Sequence, residues 1–195
     1  AGQGDLRHTL DSAARRALDV TLALLGIVLL TPAFVLIAAL IKRDSPGPIF
    51  YWGERVGRHG HPFGILKFRT MYETNDSYRG PRVTGQGDPR ITPFGQWLRD
   101  TKLNELPQLW NVLKGDMSLV GPRPMMPEQA PLYPGEAYYT LRPGITGLWQ
   151  VSERNATAFA DRAHYDTRYE QSLSLVTDLR ILMATIRVVL RGTGY

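Results

Sequence analysis

The sequence predicts an α+β fold, mainly helical, with one N-terminal membrane segment and a small domain that carries further amphipathic helices. Three observations lead to this prediction: an uncharged apolar stretch at residues 20–41, glycine-punctuated extended segments at 49–68, and helical periodicity in 91–113 and 161–190. The net charge of +5 suits an anionic partner, either phosphates, anionic lipid or nucleic acid. With no cysteine in the chain, disulfides and thiolate metal sites are excluded.

The apolar stretch is long enough to enter a membrane. As a helix it would extend about 33 Å, close to the thickness of the hydrocarbon layer. A simple span, a buried core helix and a signal peptide are the ordinary interpretations, and the signal peptide is the weakest because the stretch is too long and has a central proline. Thr31-Pro32 lies at the midpoint, where proline removes a backbone donor and the Thr31 hydroxyl can bond a backbone group. Basic residues flank both ends, which predicts that both ends lie on the cytoplasmic side. A re-entrant hairpin and a kinked span are equally compatible with these residues.

The flanking segments set the limits of this region. Residues 5–18 form an amphipathic lead-in, either an interfacial helix or the start of the membrane helix. Ser45-Pro46-Gly47-Pro48 is a turn signal that ends it. We therefore divide the chain into residues 1–44, the membrane part, and 45–195, one continuous cytoplasmic unit.

Within the second part, the sequence predicts a hairpin over residues 49–68 and a loop over 72–89. The loop contains Arg79 and Arg82, and either folds over an anionic substrate or is a solvated surface loop. Residues 91–113 are predicted to be helical from Pro93, with a boundary near Glu105-Leu106 caused by Pro107. Residues 161–190 are predicted to be helical, with an apolar stripe that faces either the core or a bilayer surface.

The polar residues of greatest chemical interest are Asn104-Glu105 at the proline-marked helix boundary. Basic residues occur in the surrounding turns, and arginine pairs bidentately with phosphate while lysine adds a compact charge. A proline on either side of Arg123 would hold that side chain in place for a phosphate, although an arginine in such a setting is more often a simple surface residue. The candidate phosphate-binding residues are Lys67, Arg69, Arg90, Arg99 and Arg123.

Several long motifs, in order, resemble one known family. They are Ser45-Pro46-Gly47-Pro48, residues 67–71 (KFRTM), residues 104–109 (NELPQL), residues 114–124 (KGDMSLVGPRP) and residues 142–147 (RPGITG). Together they are similar to the bacterial sugar transferases, or monotopic polyprenyl-phosphate phosphoglycosyl transferases, over about residues 10–195. The chain looks most like the small exopolysaccharide-initiating members, or like a catalytic domain of a longer one.

The resemblance implies a fold and a reaction. The fold is a re-entrant helix-break-helix hairpin, broken here at Thr31-Pro32, with amphipathic interfacial helices and a small cytoplasmic catalytic domain at the bacterial inner membrane. The reaction has two steps: a carboxylate attacks the β-phosphate of a UDP-sugar and releases UMP, and polyprenyl phosphate then takes the sugar-phosphate from the enzyme. The implied cofactor is Mg²⁺, the implied partners are UDP-sugar, polyprenyl phosphate and membrane lipid, and a homodimer is left open.

The sequence departs from the family pattern at the nucleophile. The family's aspartate aligns with Asn104, and its glutamate partner is Glu105, so these two positions are the expected catalytic residues and metal ligands. Three interpretations stay open: an engineered inactivating substitution, a natural variant in which Glu105 or another carboxylate attacks, or a non-catalytic relative that acts as a membrane-anchored scaffold or binds a ligand. A nucleic-acid-binding module is disfavoured by the uncharged apolar stretch. The residues identify neither the sugar nor the polysaccharide pathway.

Overall fold

The computed structural model describes residues 2–74, 87–152 and 158–190, with side chains described between residues 11 and 188. Within these ranges the helices are α1 (Gly2–Asp44), α2 (Pro93–Asp100), α3 (Gln108–Lys114), α4 (Ala137–Thr140), α5 (Leu148–Ser152), α6 (Arg162–Gln171) and α7 (Leu175–Leu190). The strands are β1 (Phe50–Val56), β2 (Pro62–Phe68), β3 (Ser118–Val120) and β4 (Gly144–Thr146), and 3₁₀ turns occupy Arg58–Gly60, Leu103–Glu105, Pro127–Leu132 and Phe159–Asp161. This mainly helical composition with two small sheets is consistent with the predicted α+β class.

Helix α1 contains the whole apolar stretch. It runs from Gly2 to Asp44 with Pro32 inside it, and within the described ranges it is the helix long and apolar enough to cross a membrane. The Thr31 hydroxyl donates to the Ile27 carbonyl at 2.8 Å, which confirms that this side chain bonds the backbone beside the proline. The expected interruption at Thr31-Pro32 does not appear as a helix end, so the hairpin is not confirmed.

A turn and a β-hairpin follow α1, as the sequence predicts. The chain turns sharply at Gly47, whose φ of 125° places it in the region that favours glycine. Strands β1 and β2 then pair antiparallel, with Phe50 opposite Phe68 and Val56 opposite Pro62. The predicted loop lies mostly outside the described residues, including Arg79 and Arg82, and its base is closed by an antiparallel bridge between Met71 and Ile91.

The region 91–113 is helical from Pro93 as predicted, but its first helix ends at Asp100, before the expected boundary near Glu105-Leu106, because Lys102 takes a left-handed conformation with φ of 61°. Thr92 caps α2 by accepting from the Gly95 backbone N–H at 2.9 Å, and Pro93 occupies the first turn. A 3₁₀ turn then carries residues 103–105, and α3 begins just after Pro107. Asn104 and Glu105 therefore lie on a short turn between two helices.

Residues 161–190 are helical as predicted, but they form two helices. The break at residues 172–174 has a local cause: the Ser174 hydroxyl accepts from the Thr177 N–H at 3.1 Å, and the Asp11 carboxylate accepts from the Leu175 N–H at 3.1 Å. Side-chain acceptors of this kind satisfy the first free N–H groups of a new helix. The sequence pattern alone did not reveal this boundary.

Two hydrophobic clusters attach α1 to the rest of the chain at separate places. The first joins its earlier half to β2, α3, β3, α6 and α7, and includes Ala23, Ile65, Val112, Leu119, Tyr169 and Ile181. The second joins its later half to β2 and α2, and consists of Ile37, Ile41, Phe68 and Leu98. Both halves of α1 therefore pack against the same folded body.

The stripe on α7 is divided between two environments. Ile181 is buried in the first cluster, whereas Val176, Leu179, Met183 and Ile186 are each 44–56% exposed. These four residues recur at helical spacing and form one outer face. The core-facing interpretation thus holds for only part of the helix, and the outer face has the character of the bilayer-facing alternative.

Candidate active site

Three charged side chains from distant parts of the sequence meet at one point. The Lys67 Nζ donates to Glu105 Oε1 at 3.0 Å, and the Arg123 guanidinium lies 3.8 Å from the same oxygen. The Lys67 and Glu105 side chains are only 19% and 18% exposed, while Arg123 is 40% exposed. Three of the residues predicted from the sequence therefore form one partly buried cluster, which we call the Glu105 cluster.

The first two members are brought together by α3. The Asn111 side chain accepts from the Leu66 N–H at 2.9 Å and donates to the Gly64 carbonyl at 2.7 Å, so it binds the edge of β2 as a strand would. Asn111 is fully buried, and loss of either bond would leave a buried polar group unpaired. Glu105 directly precedes α3, and Lys67 lies on β2. The two Asn111 hydrogen bonds therefore set the distance between the Glu105 and Lys67 charges.

Arg123 reaches the cluster from the end of β3. Strands β3 and β4 are parallel. Just past the end of β3, the Gly121 N–H donates to the Thr146 carbonyl of β4, and the Pro122 carbonyl accepts from the Gly144 N–H of β4, both at 2.8 Å. A Cβ on Gly121 would lie 2.2 Å from the Arg142 carbonyl oxygen, so only glycine permits this approach. The segment leading into Arg123 is consequently fixed just after β3, in contact with both the first and the last residue of β4.

The electrostatics of the cluster keep Glu105 ionised. Burial by itself would raise the pKa of Glu105, but Lys67 and Arg123 outweigh it and lower that pKa to about 2. Burial also lowers the pKa of Lys67, opposed by Glu105 and reinforced by Arg123. At neutral pH the Glu105 carboxylate is therefore charged. With Lys67 and Arg123 beside it, the cluster has a net positive charge.

Asn104 lies beside this carboxylate with an unsatisfied acceptor. Its Oδ1 is buried and has no hydrogen-bond partner among the described residues. Within the same ranges no group of three or more His, Asp or Glu side chains is placed to hold a metal. Mg²⁺ commonly takes one or two protein oxygens and completes its shell with water and substrate phosphates. Asn104 and Glu105 therefore fit a Mg²⁺ that arrives with a diphosphate, and do not fit a metal held by protein alone.

The remaining predicted arginines lie around the cluster rather than in it. The Arg99 Nε donates to the Thr70 hydroxyl at 2.8 Å, and Arg90 forms an ion pair with Asp88 at 2.5 Å. Burial lowers the pKa of Arg99, and the charges of Asp88 and Glu105 oppose that effect. Arg99 thus lies in the electrostatic field of both carboxylates.

The Arg69 side chain bonds mainly to backbone carbonyl groups. It is 5% exposed and donates to the Pro48 carbonyl at 2.5 Å, to the Met71 carbonyl at 3.0 Å, and to both the hydroxyl and the carbonyl of Ser45 at 2.7 and 2.8 Å. These contacts join the turn after α1 to the end of β2. Its predicted role in phosphate binding stays a prediction, and its observed contacts are structural.

Two further arginines belong to this region and were not singled out from the sequence. Arg55 is placed near Arg123 because the Val56 N–H donates to the Met125 carbonyl at 3.0 Å, with the Tyr138 hydroxyl bonding both residues. Arg162 lies on α6. Burial is the main cause that lowers the pKa of Arg162, and the charge of Arg123 lowers it further. Neither residue had a local signal, since Arg55 follows Glu54 on a mixed strand and Arg162 lies in a polar helix.

A buried carboxylate was also missed. Asp166 is 6% exposed and accepts a hydrogen bond from the Tyr133 hydroxyl at 2.9 Å. Burial raises the pKa of Asp166 to about 6, despite the bond from Tyr133 and the charge of Arg162. A carboxylate with a perturbed pKa beside a cation is a common feature of active sites. The arrangement as a whole can bind a multiply charged anion next to an ionised carboxylate.

Comparison with known proteins gives a consistent family assignment. The sequence model described as bacterial sugar transferase matches residues 10–192. The exopolysaccharide production protein ExoY of Sinorhizobium fredii is 42% identical over 93% of this chain and 87% of the relative. The UDP-galactose-lipid carrier transferase of Erwinia amylovora is 42% identical over 92% of this chain and 41% of its own length. The undecaprenyl-phosphate galactose phosphotransferase of Salmonella typhimurium is 36% identical over 98% of this chain and 44% of its own length.

Proposed function

Because the chain belongs to the bacterial sugar transferase family, we propose that it moves a sugar-1-phosphate from a UDP-sugar to polyprenyl phosphate and releases UMP. The proposed role is the first step in assembly of an exopolysaccharide or related glycan. Two of the relatives are named for transfer to a lipid carrier or to undecaprenyl phosphate, and another for exopolysaccharide production. The single observation that carries the proposal is the Glu105 cluster, an ionised carboxylate surrounded by an excess of positive charge.

The cluster matches the charge of the reaction. A UDP-sugar and a polyprenyl phosphate are both anions, and their phosphates repel each other unless cations lie between them. Lys67 and Arg123 supply fixed positive charge beside Glu105, and Arg99 adds to it at the edge. In the proposed reaction the bond between the β-phosphorus and the bridging oxygen breaks, UMP leaves with that oxygen, and the sugar-phosphate is passed to the lipid phosphate.

The identity of residue 104 decides which carboxylate takes part. An amide oxygen is a poor nucleophile, so in this proposal a covalent sugar-phosphate on the unaltered chain forms through a Glu105 carboxylate oxygen. With a pKa of about 2, Glu105 is ionised throughout the neutral range, as a nucleophile or a Mg²⁺ ligand requires. A Mg²⁺ bound at Asn104 and Glu105 would neutralise charge on the diphosphate. Lys67 holds the Glu105 carboxylate in place for either role.

The proposal includes a re-entrant membrane helix, and the packing of α1 supports it. Arg16 donates to the carbonyls of Val112 and Leu113 near the start of the apolar stretch, while Phe34 packs on Phe68 at 5.4 Å beyond its midpoint. Ile37 and Ile41 bury against the same body as Ala23. A span that crossed the bilayer would place its two ends about 30 Å apart on opposite sides. One small domain in contact with both halves instead favours entry and exit on one face.

The exposed apolar surface supports the same arrangement. Leu24, Leu25, Val28, Leu29, Val35 and Leu36 are each at least half exposed and bracket Thr31-Pro32. The outer face of α7 adds a second apolar surface, and Arg180 and Arg187 lie close to it. Basic residues beside an apolar helical face suit a bilayer interface with anionic lipid. We place this face on the cytoplasmic leaflet because basic residues flank both ends of the stretch.

Topology is tested directly by cysteine labelling. The chain has no native cysteine, so single cysteines at Ala14 and Asp44 can be labelled without a background. In sealed cells, a membrane-impermeant maleimide should label neither position from outside, and both after permeabilisation. Labelling of one position from outside would disprove the hairpin.

Activity is tested by release of radiolabelled UMP from a panel of UDP-sugars, with and without polyprenyl phosphate. Asn104→Asp should raise turnover strongly and allow a covalent sugar-phosphate adduct, detected by intact mass spectrometry. If Glu105 acts in place of the aspartate, the unaltered protein releases UMP, and the Glu105→Gln variant does not. Full activity in both the unaltered chain and Glu105→Gln would place the nucleophile elsewhere.

A second candidate function rests on Asn104 alone. An amide at the nucleophile position is compatible with a membrane-anchored scaffold that binds nucleotide-sugar without turning it over. In that case UDP-sugar binds, no UDP-sugar releases UMP, and Asn104→Asp remains inactive.

A further inference from the structure

Arg162 is held in place by two aromatic rings. It is the first residue of α6, and its guanidinium carbon lies 4.3 Å from the centre of the Trp149 ring and 4.7 Å from that of Phe159. Contacts of this kind orient an arginine without neutralising its charge. They also reduce the rotamer freedom that the side chain would lose on binding a ligand.

The charge of Arg162 is not balanced by a contact ion pair among the described residues. Asp166 lies one helical turn further on, where it would be the ordinary partner. Asp166 instead accepts from the Tyr133 hydroxyl, and the Nε of Arg162 is buried with no hydrogen-bond partner among the described residues. A buried donor without a partner costs free energy in the unliganded protein. A ligand oxygen at that position would remove the cost.

The surroundings of Arg162 carry an excess of positive charge. Arg123 follows β3 and Trp149 follows β4, and these strands are parallel, so both residues lie at the same edge of the small sheet. Burial lowers the pKa of Arg162 to about 10, with a further contribution from Arg123. Arg123 also lowers the pKa of the partly buried Arg55 and Lys67. Arg162 remains protonated at neutral pH, and an added anion would offset this mutual repulsion.

We propose that Arg162 is a second phosphate-binding arginine, which together with Arg123 binds the diphosphate of the nucleotide-sugar. The assignment of the diphosphate to a nucleotide-sugar rests on the proposed function, whereas the binding of a diphosphate does not. Four cations, Lys67, Arg55, Arg123 and Arg162, share this region with two carboxylates, Glu105 and Asp166. A dianionic or more highly charged ligand balances that set better than a single carboxylate, and paired arginines match the oxygens of phosphate groups.

The first test measures binding of inorganic pyrophosphate by calorimetry on the full chain in detergent, without Mg²⁺. Arg162→Gln keeps part of the stem that packs on the rings and removes the charge, and should weaken binding about tenfold or more. Arg162→Lys should retain part of the affinity, and Phe159→Leu should cause a smaller loss because the charge remains. Arg168→Gln is the matched control, since Arg168 is an exposed arginine on the same helix. Affinity unchanged in Arg162→Gln, but reduced in Arg123→Gln, would overturn the proposal.

A second measurement needs no substitution at Arg162. Phenylglyoxal modifies accessible arginines, and peptide mass spectrometry reports each site separately. Pyrophosphate should protect Arg162 and leave Arg168 reactive, and equal modification of Arg162 with and without pyrophosphate would refute the assignment. This outcome does not depend on catalytic turnover. If pyrophosphate protects Arg162 in a protein that releases no UMP from any UDP-sugar, the proposed function is wrong and the role of Arg162 in phosphate binding is still supported.

Discussion

Replacement of Lys67 by methionine tests the central electrostatic claim about the Glu105 cluster. Methionine keeps an apolar stem of similar length and removes the charge 3.0 Å from Glu105. The Glu105 side chain is 18% exposed, so it would keep a largely buried negative charge whose next cation is Arg123 at 3.8 Å. We therefore expect the variant to fold with reduced stability, because burial disfavours a carboxylate that has lost its closest partner.

The size of the loss follows from the contacts. Breaking a fully buried ion pair costs about 3–5 kcal/mol. A fall in the pKa of Glu105 from 4.5 to about 2 corresponds to about 3 kcal/mol, shared between Lys67, the largest contributor, and Arg123. Both partners of the pair are nearly one-fifth exposed, and removal of Lys67 also removes its own burial cost. We expect a loss of about 2 kcal/mol, or about 4–8 °C in Tm.

The pH dependence gives the sign of the effect. In the unaltered protein the folded pKa of Glu105 is depressed, so its contribution to stability is complete above the unfolded pKa of about 4.5 and is lost as pH falls toward 2. In Lys67→Met the folded pKa of Glu105 rises, and this acid-sensitive contribution shrinks or vanishes. The difference in Tm between the two proteins should therefore be largest above pH 5 and should narrow as pH falls to 3.

Thermal unfolding in detergent, followed by tryptophan fluorescence between pH 3 and 8, measures both effects. Lys67→Met/Glu105→Gln removes both charges and should recover at least half of the loss, because no buried carboxylate remains. Lys114→Met is the control, since Lys114 forms a more exposed ion pair on α3 and should cost little. A loss below about 0.5 kcal/mol in Lys67→Met, with strict additivity in the double variant, would refute the reasoning.

Three further substitutions test separate parts of the structure. Arg69→Lys should lower Tm by more than about 5 °C and leave the affinity for pyrophosphate unchanged, because the four backbone and hydroxyl contacts need a guanidinium; unchanged Tm with weakened binding would restore its phosphate role. Pro32→Ala should straighten α1 and reduce UMP release without lowering Tm, and unchanged turnover with unchanged cysteine labelling would deny Pro32 that role. Arg15→Met should cost about 3 kcal/mol by leaving Asp178, 4% exposed, without its cation at 2.6 Å. Since the pKa of Asp178 is already raised by burial and rises further in this variant, the deficit should grow with rising pH, and a deficit that grows on acidification would contradict this.

Features that depend on local sequence were predictable. The apolar stretch, the turn after it, the β1–β2 hairpin and the boundary at Pro107 each follow from residues that are neighbours in the chain. The helix break near Ser174 escaped prediction because its cap includes Asp11, which is distant in sequence and close only after folding. The motifs also indicated which residues carry the chemistry, since Lys67, Glu105 and Arg123 do meet in one cluster.

The sequence by itself determined that an apolar helix precedes a cationic domain, and that an amide occupies residue 104 beside Glu105. Only the tertiary structure decided which of its cations act together. Arg69 and Lys67 are two residues apart, yet the first is buried among backbone carbonyls and the second binds Glu105. Arg162 is far along the chain from both and still lies near Arg123. The physical reason is that the surroundings of a side chain are set by packing between distant segments. Here those contacts are the bonds from Asn111 of α3 to β2 and the close approach at Gly121, and no local periodicity records them.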